Sequence, residues 1–481
     1  MPESDRQTNK NQEHEILARE ALAHPELFER RTYLEDASLL HEFGISIPGK
    51  ESFASGYLKL WPGDFIVEEV SPEGEIATVT RENILTPETE LSYAPTIYAT
   101  LVKCGISTIE AIDDMVAQLG CERTAIGYAG IKDRDALTAQ RISFRKVTPQ
   151  KLKALTSPYF FLKDVTEGKG AVATGGLRGN RFTLLIRTNQ QFFQKHTLDA
   201  FAHNLTTLRD SGFTNFFYLQ RFGTPRLRNY VWGLSLLRGA YEEAVYDVLT
   251  YQAPRELTYF KQLREKCGTL WGRWNEIETL ISPFPIIFRH ELRLVRYLQV
   301  HPNDYSGALA ELSDQIVLWV YALASRYYNE TLSGYLKRGE TPPKNLPLFL
   351  GFNKKSWGPY EEVLRRDGIF PPPFDNLKPF PFLQIRERTL PCTDRPNLSG
   401  IQVCDQGVIL SFELGKGQYA TTFLSHLINL LTGKPPETLR TEQVDTRALL
   451  GEPGNAETIA YFAPIIRSKL ETEQEFGEIK E

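Results

Sequence analysis

The sequence predicts an α+β protein in which a β-rich unit is interrupted by a helix-rich insert. Three observations carry this. Strand-like runs follow one another from Gly56 to Ile186, and strand-like alternation returns only at Ile401–Leu414. Between Trp232 and about Phe382 helical periodicity dominates, and two proline-rich stretches, Thr341–Leu348 and Pro371–Pro381, close that region. At 481 residues the chain is too long for one small core, so two or more domains are expected.

Along the chain, the polar Met1–Lys10 reads as disordered. Glu13–Phe43 reads as helical, with Ile16, Leu17, Leu22, Leu27, Leu34 and Leu39–Leu40 recurring on one side, until Pro48-Gly49 punctuates the chain. Leu58, Leu60 and Phe65–Val67 are strand-like around the turn Pro62-Gly63, and Tyr98–Val102 is a further strand. Ser107–Leu119 has the spacing of an amphipathic helix, with Ile109, Ile112, Met115 and Leu119 on one stripe. Thr124–Tyr128 and Arg141–Val147 read as strands flanking a loop, followed by a strand at Phe182–Ile186 and a helix at Leu198–Ser211. The insert holds helical patterns at Tyr241–Tyr251, Glu276–Ile281 and Ala308–Leu332, and a last helix is expected at Phe423–Leu431. Glu471–Glu481 is a glutamate-rich, solvated tail. There is no internal repeat.

The hydrophobic fraction of 41% and charged fraction of 24% are those of a globular protein. A net charge of -5 does not itself point to a nucleic-acid partner, but a local patch binds phosphate under any global sign. Ser211–Ala240 holds Arg221, Arg226, Arg228 and Arg238 and no acid. The five cysteines are scattered and odd in number, without C-x-x-C spacing, which suits buried or incidental thiols in a reducing cytoplasmic setting. The eight histidines show no metal-ligand spacing. No secretory signal pattern is seen, and the longest apolar stretch, Ile316–Ala324, is far short of a membrane span.

The most informative segment is Gly127–Gln140, where Asp133 stands between Lys132 and Arg134 after small residues and glycines. Neighbouring cations favour the ionised carboxylate, and the same cations suit phosphate. With no histidine or second carboxylate in catalytic spacing, chemistry here would be that of a lone aspartate acting as nucleophile or base; the bland alternative is a surface ion pair. A second cluster, Asn215–Gly223, interleaves aromatics with Asn, Gln and Arg, as a base-stacking surface does, or as an ordinary core segment does. Leu177–Phe182 places Arg178 and Arg181 on a Gly-Asn turn. Gly415–Thr421 is glycine-rich without P-loop spacing, and Gly168-x-Gly170-x-x-Ala173 lacks the strand that a dinucleotide fingerprint requires.

Together these clusters resemble the TruD family of RNA pseudouridine synthases. The pattern Gly-x-Ala-Gly-x-Lys-Asp-x-x-Ala-x-Thr-x-Gln is met in full at Gly127–Gln140. The Asn-aromatic-aromatic…Gln-Arg-Phe-Gly signature is met at Asn215–Gly223, except that Tyr218 stands where Gly is usual. Leu177–Phe182, Lys416–Thr421, Leu58–Glu69 and Ser325–Asn329 match further segments in the right order, with Ser425-His426 in place of an Arg-Glu pair.

The resemblance implies a pseudouridine-synthase catalytic domain with a mixed, mainly antiparallel sheet, interrupted by an α/β insertion (TRUD) domain, with RNA entering between them. The corresponding boundaries are 1–50 for an N-terminal helical extension, 51–231 and 383–470 for the catalytic domain, 232–382 for the insertion and 471–481 for the acidic tail. It implies isomerisation of a uridine, uridine 13 of tRNA in typical members, with neither cofactor nor metal, by a monomer with no membrane association; other structured RNAs are the alternative substrates. Asp133 would start the chemistry by attacking ribose or uracil, or by removing a ribose proton. Lys59 would pair with Asp133, Phe217 stack on the uracil with Phe65 as a further wall, and Asn215 read the base edge. Arg221, Lys132 and Arg181 would contact phosphate, and Gln140 would brace the loop. Competing readings are an RNA binder without catalysis and, more weakly, a nucleotide-using metabolic enzyme.

Overall fold

The computed structural model of the chain describes residues 3–349, 354–369, 374–384 and 387–474. The chain forms two compact units. One is built from Met1–Glu51 and Thr214–Asp394, the other from Ser52–Phe213 and Arg395–Thr472.

The second unit is organised on a sheet. Numbered along the chain, its strands are β1 (Ser55–Tyr57), β2 (Phe65–Val70), β3 (Thr96–Lys103), β4 (Ile126–Tyr128), β5 (Leu137–Arg145), β6 (Phe160–Gly168), β7 (Gly179–Arg187), β8 (Asn397–Cys404), β9 (Gly407–Gly415) and β10 (Asn429–Gly433). The spatial order is β10-β1-β7-β2-β5-β3-β6, with β9 and then β8 added alongside β7 and β4 alongside β5. Two pairs, β10 with β1 and β2 with β5, are parallel. The others are antiparallel, so the sheet is mixed and mainly antiparallel, as expected.

Both faces of β3 are buried, by different partners. Ile97, Ala99 and Leu101 join Ile142 and Phe144 under the helix Thr108–Leu119, which contributes Ala111, Ile112, Met115 and Leu119. Val102 and Cys104 join Ile66, Leu137 and Phe161 on the other face, closed by Phe462 and Ile466. That period-two division lets one strand serve two cores. The helix starts where the sequence places it: Ser107 and Glu110 form a reciprocal capping box, and Gly120 ends it with φ 60°. Ile109 lies off the stripe and is 39% exposed, its place being taken by Thr108 and Ala111. Two other local expectations yield to tertiary pairing. Phe423–Leu431 is not one helix: a short helix, Ala420–Ser425, precedes β10, whose parallel pairing with β1 takes the apolar run that periodicity alone leaves ambiguous. Leu58 and Leu60 lie outside β1 because Lys59 turns the chain with φ 61°.

The first unit is helix-rich. Helices occupy Asn229–Arg238, Tyr241–Thr250, Thr258–Thr269, Trp274–Ile281, Arg289–Val300, Tyr305–Ala310 and Ser313–Lys337. The stretch expected as one helix at Ala308–Leu332 is therefore two, the first capped by Asp304. Ser313–Lys337 packs on Asn229–Arg238 at Gly233, where a Cβ would sit 2.3 Å from the Trp319 carbonyl oxygen. A short antiparallel pair joins Asn345–Leu348 to Arg388–Pro391.

The N-terminal region departs from expectation at both ends. The helix begins at Glu3 rather than after Lys10 and ends at Ala23. Its Glu, Gln, Lys and Arg residues are good helix formers, and Leu17, Ala18 and Ala21 anchor it by burial. Pro25 disfavours helical backbone at His24, so Glu13–Phe43 breaks into a 3-10 turn, a strand at Thr32–Glu35 and the Asp36-capped helix Ala37–Glu42. The glutamate-rich tail opens in a short helix, Lys469–Gln474, and its remainder lies outside the described residues. Among the described residues no helix is long and apolar enough to cross a membrane.

Candidate active site

The loop between β4 and β5 carries Asp133, and side chains from four separate places hold it, three through its backbone and one through the Lys132 side chain. Gln140 on β5 donates to the Gly130 carbonyl at 2.9 Å and accepts from the Thr108 hydroxyl at 2.8 Å. Thr108 in turn accepts from the Lys132 N–H at 2.9 Å. Lys103, at the end of β3, donates to the carbonyls of Asp133 at 2.7 Å, Ile106 at 2.9 Å and Lys132 at 3.4 Å. Glu69 on β2 accepts from Lys132 Nζ at 2.8 Å, both groups being buried. Gly127 admits the next segment closely, a Cβ there falling 2.5 Å from the Val172 carbonyl oxygen. The bracing role expected of Gln140 is thus visible in its bonds.

The neighbouring charges are also engaged. Arg134 pairs with Glu110, and Asp135 accepts from Lys469 at 2.7 Å. Although partial burial works against the charged form, Arg134 and Ser107 hold the Glu110 carboxyl down at about 2. The Asp133 side chain is 54% exposed, close to Asp135 at 51% and Glu110 at 46%, and its Oδ2 accepts from Lys59 Nζ at 2.6 Å. That ammonium also lies 4.1 Å from the centroid of the Phe65 ring. The ring face and the carboxylate fix the lysine, and the lysine fixes the carboxylate.

The structure brings Lys59, Phe65, Lys132 and Asp133 together and redefines two of them. Phe65 is 3% exposed and carries Lys59 above it, so it is a support for the ammonium before it is a wall for a base. Lys132 and Arg181 were expected at phosphate, but their charge is spent inside the protein. Arg181 donates from Nε to Glu68 Oε2 at 2.8 Å and pairs there through a second nitrogen, while Arg447 takes Glu68 Oε1 at 2.6 Å. Buried carboxylates on β2 claim both cations because an unpaired Glu68 or Glu69 would be costly.

Asn215, Phe217 and Arg221 belong to the helix-rich unit. Asn215 bonds the Pro391 and Cys392 carbonyls through its side chain and backbone. Phe217 is 9% exposed, edge-on to Tyr328, and its N–H and C=O are both held by the buried Asn329 side chain at 2.9 Å. Arg221 sits 5.0 Å over the Phe217 ring. A free stacking face on Phe217 is therefore not presented. Tyr218, the departure from the family pattern, adopts extended backbone and donates its hydroxyl to Glu35 at 2.6 Å, with Arg255 on the other oxygen at 2.8 Å. The N-terminal segment supplies Glu35, which gives both the substitution and the extension a structural role. Ser425 and His426 are buried and bond the Thr422 carbonyl, so they offer no phosphate contact.

Lys103, Thr108, Glu68 and Glu69 were not singled out as site residues by the sequence. The available signal was charge on strands that are otherwise apolar: a lysine ending β3, and two glutamates inside the fully buried β2. No group of three or more His, Cys, Asp or Glu side chains among the described residues converges as a metal site would.

Fold and site together are a mixed sheet carrying a side-chain-braced loop on which Asp133 is exposed. Comparison with known proteins identifies the family. Residues 50–346 match the family model of tRNA pseudouridine synthase D (TruD). The chain is 31% identical over 389 residues to a protein from Methanococcus vannielii named "Probable tRNA pseudouridine synthase D", a match covering 76% of this chain and 93% of the relative. A relative of similar name from Methanocaldococcus jannaschii is 26% identical over 393 residues, covering 79% and 96%. A solved TruD structure from Methanosarcina mazei shares the fold, with a TM-score of 0.62 and 21% identity over 80% of this chain and 97% of that one. The chain belongs to the TruD family, and it is a pseudouridine synthase, an isomerase.

Proposed function

We propose that the protein converts uridine 13 of tRNA to pseudouridine with Asp133 as the single catalytic carboxylate and without a cofactor. The observation that carries this is Asp133 itself, an exposed carboxylate oriented by Lys59 on a loop braced from four places. The names of the relatives support tRNA as the substrate. In place of the boundaries 51–231 with 383–470 and 232–382 that the resemblance implies, we assign the compact unit Ser52–Phe213 with Arg395–Thr472 as the catalytic domain and Thr214–Asp394 as the insertion, which moves Asn215–Gly223 to the insertion.

The reaction breaks the N1–C1′ bond of the target uridine, turns the uracil and forms the C5–C1′ bond. C5 loses a proton and N1 gains one. Atoms and electrons are conserved, so the balance requires no electron or group donor. Asp133 attacks the ribose or the uracil, or removes a ribose proton, and Lys59 keeps its carboxylate in position. Extruding the base from RNA costs a few kcal/mol, and contacts to the flipped base offset that cost. Asn215 and Arg221, both partly exposed, are the base-edge and phosphate ligands in this reading. Phe217 acts beneath Arg221, and stacking on uracil requires its ring to part from Tyr328. The enzyme acts as a monomer in the cytoplasm, where its scattered thiols remain reduced.

The test is pseudouridine mapping of tRNA incubated with wild-type protein and with Asp133→Asn. New pseudouridine at position 13 with wild type alone supports the reading. Equal tRNA binding by both proteins with no product from either assigns a binding role instead.

A further inference from the structure

We propose that Lys103 is a positioning residue for the isomerisation, its buried ammonium holding the loop backbone so that the Asp133 carboxylate faces the substrate. The inference rests on the reading that Asp133 carries the chemistry. Lys103 is 0% exposed and ends a strand whose other residues are almost all buried and mostly apolar. An apolar side chain would fill that space at lower cost, since a buried ammonium must recover its lost hydration from fixed partners. The partners here are three carbonyl oxygens, of Ile106, Lys132 and Asp133. Two of them belong to the catalytic loop, and one is the carbonyl of Asp133 itself. The lysine therefore sets the direction in which the aspartate leaves the backbone, without touching its carboxylate.

Burial lowers the Lys103 pKa to about 8 from its usual 10.5. The groups around it are Asp133 on the loop, Glu110 on the helix and the adjacent Cys104, which favour the ammonium, and Lys132, which opposes it. A neutral amine has two N–H groups for three carbonyls, so the loop loosens as the proton leaves. Activity should therefore fall as pH rises through about 8. Stability moves the other way. The folded pKa lies below the unfolded one, so between about 8 and 10.5 the unfolded state binds more protons and this group's contribution to stability rises with pH. Loss of activity without loss of stability is thus the signature of positioning.

The experiment measures tRNA affinity, single-turnover rate and thermal midpoint for wild type, Lys103→Met, Lys103→Arg and Asp133→Asn between pH 6.5 and about 9.5, a range spanning the lowered value. Lys103→Met should lose ~100-fold in rate, the scale of a catalytic group displaced by about 1 Å. Its tRNA affinity should be little changed, and the alkaline fall should be absent. Lys103→Arg, which keeps its charge at high pH, should lack the fall as well. A Lys103→Met protein with wild-type rate overturns the proposal, as does parallel loss of rate, affinity and thermal midpoint. The wild-type profile needs no variant, so a flat rate through the alkaline range also overturns it. Asp133→Asn separates the two claims: if it stays active, the role of the aspartate fails, whatever Lys103 does.

Discussion

The two segments that identify the family, Gly127–Gln140 and Asn215–Gly223, are built in opposite ways. In the first, polar side chains hold the backbone and leave the carboxylates of Asp133 and Asp135 exposed. In the second, the backbone is held by a buried asparagine from the helix Ser313–Lys337, and the aromatic side chains face inward. The same contrast appears between neighbouring ion pairs. Lys132–Glu69 and Lys59–Asp133 have similar lengths, 2.8 and 2.6 Å, but their side-chain exposures are 5% and 3% against 28% and 54%. Distance alone does not tell a buried pair from an accessible one. Only an accessible carboxylate can meet a substrate, a condition that Asp133 meets and Glu69 does not, and that Asp135, 51% exposed beside Lys469, meets as well.

The largest effect should come from Asp133→Asn. Pseudouridine formation is expected to drop by up to ~10⁴-fold, with the thermal midpoint unchanged. Site-specific mapping of tRNA measures the first and scanning calorimetry the second. A stability loss as large as that of a buried-pair variant would erase the contrast between the two pairs.

Next is Lys132→Met, which leaves Glu69 buried without its cation and should cost about 3–5 kcal/mol in denaturant unfolding. Lys59→Met, at the more exposed pair, should cost at most about 1 kcal/mol by the same measurement, while activity is lost. Equal costs would mean that exposure does not distinguish them.

Asn329→Ala should destabilise by about 1–3 kcal/mol, because the N–H and C=O of Phe217 and the Phe43 carbonyl lose their partner. If the thermal midpoint does not move, the Asn215–Gly223 segment does not depend on internal support. The smallest effect concerns salt. Arg221→Gln should reduce the slope of log affinity against log salt by about 0.7 for a single-stranded contact. Arg181→Gln should leave the slope unchanged, since its charge is committed to Glu68. The opposite result in a filter-binding series would restore Arg181 as a phosphate ligand.

The Asp133 motif, the Lys59 partner and the bracing by Gln140 were legible because they depend on short spacings or on a pattern carried whole in the chain. The β-unit interrupted by a helical region was legible for the same reason: periods of 2.0 and 3.6 report which faces are buried. The internal pairing of Lys132 and Arg181 was not, because no local pattern marks Glu69 and Glu68 on an otherwise apolar strand as their partners. The break in the N-terminal helix was signalled by Pro25, while the strand after it was hidden within a loosely apolar run.

By itself the sequence determined the local terms: the Ser107–Glu110 cap, the apolar stripes, and the carboxylate set between two cations. These follow from groups a few residues apart, whose geometry covalent structure nearly dictates. Tertiary structure alone decided which charges face each other and which face water. Glu69 reaches Lys132, Lys103 reaches the Asp133 carbonyl, and Asp133 stays open, because the sheet brings β2, β3 and β5 side by side. Burial then sets the cost of leaving each charge unpaired.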